Sequence, residues 1–124
     1  MRTLTGLAAA FIALSTAPIF AMPMEADSSM GKIYSDEKGM TLYTFDKDTP
    51  GKSACNGQCA TNWPPMLAGD GGKAAGDWTI VVRDDGLKQW AYKGMPVYGW
   101  VKDKKPGDTT GDGVLNGAWH VARP

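Results

Sequence analysis

The sequence predicts a mostly β fold: a small single-domain sandwich or partly open barrel built from two pseudo-symmetric β units, with a short helical turn near residues 55–63. Three observations point there. Short runs rich in β-branched and aromatic residues alternate with turns containing Gly, Asp and Pro. Sustained 3.6-residue apolar periodicity is nearly absent. A ten-residue phrase occurs twice, at 39–48 and 94–103.

Residues 1–21 read as a signal peptide. Arg2 gives a short positive start, Leu4 to Leu14 form an apolar stretch, and small residues lead to a cleavage position after Ala21. The apolar stretch is shorter than the ~20 residues that cross a bilayer. No cysteine stands at the cleavage position to accept a lipid. The expected location is therefore the periplasm or the extracellular space, with no transmembrane span after signal removal.

The chain beyond Ala21 divides into a flexible lead-in at 22–31 and one β domain at 32–124. Removing 1–21 takes away one basic residue, Arg2, and none of the 13 acidic ones, so the formal charge is one negative unit. A chain so near neutrality offers no electrostatic attraction for nucleic acid or an anionic membrane.

Lys32–Ser35 and Met40–Phe45 read as the arms of a hairpin across Asp36–Gly39. Along the second arm, Met40 and Leu42 share one face, and Tyr43 and Phe45 share the other. Ala54 to Asn62 is the helical candidate, closed by Trp63 because a residue before proline is pushed out of the α region. Ala68–Gly76 is a Gly-rich connection. Trp78–Arg83 and Leu87–Tyr92 form a second hairpin, with Asp85-Gly86 supplying the positive φ of its turn. Pro96–Trp100 and Ala118–Ala122 are further strands, and 102–117 is a polar loop.

The two phrases align at a constant offset of 55, with Gly, Met, Tyr, Lys and Asp identical. Leu42 matches Val97, and Phe45 matches Trp100. A tryptophan recurs downstream in both halves, Trp63 and Trp119, with the offset slipping by one. One supersecondary unit used twice accounts for this pattern. Residues two apart on a strand share a face, so Tyr43 with Phe45, and Tyr98 with Trp100, offer a broad aromatic surface to a core. Asp48 and Asp103 fall just past the strand, where a carboxylate can accept backbone N–H bonds and fix a turn.

On these residues the chain resembles a bacterial family of secreted repeat proteins, or predicted lipoproteins, with a Tyr-x-(Phe/Trp/Tyr)-x-x-Asp motif. The matching positions are Tyr43, Phe45, Asp48 and Tyr98, Trp100, Asp103, and the surrounding phrases extend the likeness over nearly the whole chain after residue 21. The resemblance implies export and brings no defined chemistry.

Cys55 and Cys59 are the remaining chemical feature. Two cysteines in an exported chain are normally paired. Cβ atoms at i and i+4 of a regular helix sit ~5–6 Å apart, whereas a disulfide wants ~3.8 Å, so the backbone must depart from a helix, and Gly57 can allow it. Closing five residues is worth about 2 kcal/mol. The alternatives are a redox dithiol, which lacks the Cys-x-x-Cys spacing, and a copper site of Cys55 and Cys59 with His120 or a methionine. Met22, Met24 and Met30 are the further sulfur ligands that speak for copper.

His120 is the single histidine. With no second histidine, no nucleophile–base pair and no phosphate loop, the expectation is a non-catalytic protein. Asp103–Asp112 lacks the ligand spacing of a calcium loop. The leading functional expectation is an exported structural or binding domain at the cell envelope. The alternative is a periplasmic copper or thiol-redox protein using Cys55 and Cys59.

Overall fold

The computed structural model describes residues 21–124; the signal segment expected at 1–21 lies, apart from Ala21, outside the described residues. The described residues fold mostly as β structure in three small antiparallel sheets. β1 (Met24–Ser28) pairs with β2 (Gly31–Ser35); β3 (Tyr43–Phe45) pairs with β7 (Trp119–Val121); β4 (Trp78–Val82), β5 (Lys88–Tyr92) and β6 (Met95–Pro96) form the third. Two short helical turns, α1 (Gln58–Asn62) and α2 (Val114–Gly117), complete it. The sheets do not close into a barrel.

The stretch 22–31, expected as a flexible lead-in, is instead largely β1 and its turn. Met24 stands opposite Ser35 and Ser28 opposite Gly31. Ala26 and Met30 pack against the core, the Ser28 hydroxyl accepts the Met30 N–H at 3.0 Å, and Gly31 takes the left-handed φ of 88° that the turn requires. β1 reads as polar because it is an edge strand that touches the protein with little of its surface.

The hairpin expected over 32–45 forms only in its first half. The Asp36 N–H reaches the Met40 carbonyl at 2.9 Å, and the Leu42 N–H reaches Tyr34 at 2.9 Å. Beyond Leu42 the chain leaves β2 and pairs with β7. The cause is side-chain alternation: Tyr43 and Phe45 enter one core with Trp63, Tyr98 and Trp119, while Leu42 enters a second with Met66, Trp78, Trp90 and Val97. The second hairpin forms as expected, with Trp78 opposite Tyr92 and Val82 opposite Lys88.

The two halves repeat the same pairings about a pseudo-two-fold axis that passes between Tyr43 and Tyr98. These residues bridge each other with paired backbone bonds of 2.8 and 2.9 Å. A triangle of bonds then repeats. The Tyr34 N–H reaches Ala122, Ala122 reaches Leu42 and Leu42 reaches Tyr34, at 2.8–2.9 Å; Trp90, Met66 and Val97 make the same circuit at 2.9–3.1 Å. Each circuit takes its closing residue from the other half. Unit one ends at Met66 paired into unit two, and unit two ends at Ala122 paired into unit one. The units have exchanged their last strands.

The region 102–117 is loop, as expected, until α2. That turn is not a regular helix, since Leu115 and Asn116 lie in the left-handed region with φ of 58° and 55°.

Candidate functional site

The strand exchange brings the two motif copies together at the axis. The Tyr43 hydroxyl donates to Asp103 Oδ2 at 2.6 Å, and the Tyr98 hydroxyl donates to Asp48 Oδ2 at 2.6 Å. Each tyrosine is thus bonded to the aspartate of the other copy. Both aspartates are placed by the turn that ends their strand, the Asp48 N–H reaching Phe45 at 3.0 Å and the Asp103 N–H reaching Trp100 at 3.1 Å. Their other oxygens close the following loop: Asp48 Oδ1 accepts the Ala54 N–H at 2.7 Å, and Asp103 Oδ1 accepts the Thr110 N–H at 3.0 Å. The turn-fixing role expected of the carboxylates is present, and a role between the units is added to it.

Both phenols are wholly buried. Burial, reinforced by the neighbouring carboxylate, pushes their pKa values far above the ordinary tyrosine range. Burial also raises the pKa of Asp48, while the bonds from Tyr98 and Ala54 and the charge of Arg83 pull the other way.

A polar chain extends from Asp48 toward the disulfide. The Ser53 and Tyr98 hydroxyls lie 2.5 Å apart. The Arg83 guanidinium, 3% exposed, donates to Ser53 at 3.0 Å, to Gln89 Oε1 at 2.8 Å and to the Cys55 carbonyl at 2.7 Å. Its charge partner is Asp85, 3.2 Å away and half in water. Arg83 stands at the end of a strand, before an Asp-Asp-Gly turn, and nothing in the sequence marks it as buried. Ser53 and Gln89 likewise carry no signal.

Cys55 and Cys59 are disulfide-bonded, with Cα atoms 5.2 Å apart. The helix begins only at Gln58, and Gly57 takes a φ of 57°, which is the departure from helical geometry that the spacing demanded. Cys55 is buried beside Trp63 and Trp119. His120 faces the opposite side of β7 from those rings, exposed, with Nε2 2.9 Å from Asp46 Oδ2. The structure therefore does not gather Cys55, Cys59 and His120 at one place. Met24 and Met22 are exposed, and Met30 packs on the core.

Phe45 is buried against Trp119, whereas its counterpart Trp100 is partly exposed and stacks on Trp63. Trp100 also lines a surface hollow of about 230 Å³ with Met40, Pro64, Pro65 and Val101. Among the described residues no group of three or more His, Cys, Asp or Glu is arranged to hold a metal ion.

Comparison with known proteins agrees with this two-unit geometry. The description "secreted repeat of unknown function" matches the chain twice, over residues 25–66 and 79–123, one match for each structural unit. No curated protein and no solved structure matches the chain. The matched residues make up most of the sequence, and the chain belongs to the family of secreted repeats of unknown function, of which it carries two copies.

Proposed function

We propose that this protein is a non-catalytic exported domain, retained in the periplasm or released from the cell, that serves as a structural or binding module at the cell envelope. The observation that carries this reading is the reciprocal bonding of Tyr43 with Asp103 and of Tyr98 with Asp48. The motif's polar atoms satisfy one another inside the molecule, so their work is to hold the two units together. The disulfide fits the same role, clasping the loop that the Arg83 guanidinium grips. The copper alternative draws no support from the geometry, which places His120 on the far side of β7 and binds both sulfurs to each other.

Complementation tests the reading. Cells deleted for the protein would be given Asp48→Asn or Asp103→Asn variants, with envelope integrity and folded protein level measured together. Function should track the amount of folded protein. A variant present at full folded level yet unable to complement would contradict a purely structural motif. Fractionation of the tagged chain between periplasm and medium decides the location.

A further inference from the structure

Four rings stack in one column through the middle of the molecule. Phe45 lies 4.1 Å from Trp119, Trp119 lies 3.7 Å from Trp63, and Trp63 lies 3.9 Å from Trp100, with interplanar angles of 11°, 1° and 24°. Packing alone usually sets aromatic pairs offset or edge-to-face at ~4.5–7 Å. This column is tighter and flatter. Three of its rings are buried, and Trp100 reaches the surface.

Each inner indole also has a tyrosine set edge-on against it. Tyr98 is 5.2 Å from Trp119, and Tyr43 is 5.4 Å from Trp63. Each of these phenols already points its proton at a carboxylate 2.6 Å away. Trp119 Nε1, by contrast, is buried with no hydrogen-bond partner among the described residues.

The contrast matters chemically. An indole that loses an electron becomes acidic at Nε1. Trp119 has no acceptor for that proton, so a hole placed on it cannot be trapped there as a neutral indolyl radical. The adjacent tyrosine can lose an electron and a proton together, because its base is already in hydrogen-bond contact. Electron exchange between rings falls steeply with distance, which makes contact stacking the favourable arrangement for passing a hole inward.

We propose that the column is an internal electron relay, through which Trp100 reduces a one-electron oxidant of the free-radical class at the surface. The hole passes by way of Trp63 and Trp119 to Tyr98, and by the symmetric branch from Trp63 to Tyr43. The oxidant gains one electron. The Tyr98 O–H bond breaks, an O–H bond forms on Asp48, and the products are a neutral phenoxyl radical and a neutral carboxylic acid; Asp103 takes the proton of Tyr43 in the same way. The raised proton affinity of Asp48 suits it as acceptor. Phe45, too hard to oxidise, closes the inner end. An exported protein works outside the reducing systems of the cytosol, where such a relay has a use.

Pulse radiolysis of the full chain with the azide radical, which oxidises indole, tests the proposal. The indole radical absorption should decay into phenoxyl absorption at a rate independent of protein concentration and slower in D₂O. The Tyr43→Phe/Tyr98→Phe variant, which keeps Tyr34 and Tyr92, should lose that rise, and Trp100→Leu should lower its yield. A persistent indole radical in the wild type, or a rise that scales with protein concentration, would overturn the relay without recourse to any variant. So would a rise unchanged in the double Phe variant or in Trp100→Leu.

Discussion

The phenol of Tyr43 and the carboxylate of Asp103 stand 60 positions apart in the chain and 2.6 Å apart in the fold. Tyr98 and Asp48 repeat the contact in mirror order at 2.6 Å. A motif that looks local in sequence, with tyrosine and aspartate five positions apart, is thus completed by the other copy. Neither copy can satisfy its own buried phenol. The consequence is that the two units are obliged to fold together, and the exchange of their last strands through Met66 and Ala122 binds them further.

Removing the disulfide should cost little. The loop closed by Cys55 and Cys59 is short, so Cys55→Ala/Cys59→Ala should lose about 2 kcal/mol in urea denaturation and still unfold cooperatively. The native protein should show no reactive thiol until reductant is added. Loss of folding at ambient temperature in the double variant would mean that the bond does more than close five residues.

Arg83 should matter more than its position suggests. Arg83→Ala leaves the Ser53 hydroxyl, Gln89 Oε1 and the Cys55 carbonyl without its donors, and should destabilise by about 3 kcal/mol or more. Arg83→Lys should recover only part of that, because an ammonium cannot present the same planar fork. Chemical denaturation of the two variants side by side gives the comparison.

Gly111 occupies the place in unit two that Cys55 holds in unit one. A Cβ there would lie 2.9 Å from ring atoms of Trp63 and Tyr43. Gly111→Ala should therefore cost about 1–3 kcal/mol through overpacking of the stack. At Gly71, where nothing lies within 4 Å of the added carbon, Ala should be close to neutral. Thermal melts of the pair provide the check.

Stability should fall on the alkaline side. Folding raises the pKa of Tyr43 and Tyr98 above the ordinary value of 10.0, by burial first, and pushes Tyr34 up to about 12. Groups raised in this way contribute stability that is fully present below the unfolded pKa. That stability is lost as pH climbs from there toward the folded values, because the unfolded phenols release protons that the folded ones keep. The urea midpoint should thus drop between neutral pH and about pH 11, and the drop should shrink in Tyr43→Phe/Tyr98→Phe. Tyrosinate absorption at that pH should appear chiefly on unfolding.

Much of the fold was legible in the chain. The repeat at an offset of 55, the Asp85-Gly86 turn, and the helix stop at Trp63 before Pro64 all rest on local chemistry, and all appear in the structure. The shared aromatic interior followed from alternation at Tyr43, Phe45 and Tyr98. Two features stayed hidden for physical reasons. β1 is polar because an edge strand needs few apolar residues, so residues 24–28 resembled a linker. The strand exchange depends on which distant partner wins, and a sequence that predicts two like units does not say whether each closes on itself.

The candidate site was legible by residue and not by partner. Tyr43, Asp48, Tyr98 and Asp103 stand out in sequence, and their carboxylates fix turns as the spacing implies. Their pairing across the units needs the three-dimensional axis. Arg83 was invisible, since a charged residue beside a turn normally faces water.

The central claim is that the motif locks one unit to the other, and a double-mutant cycle measures this directly. Tyr98→Phe, Asp48→Asn and the double variant, unfolded in urea, should give a coupling of about 1.5–3 kcal/mol, the worth of a buried hydrogen bond to a charged group. The same cycle on Tyr98 with Asp103, its own copy's aspartate, should give almost none. Coupling confined to Tyr98 and Asp103, with none between Tyr98 and Asp48, would contradict the reciprocal lock.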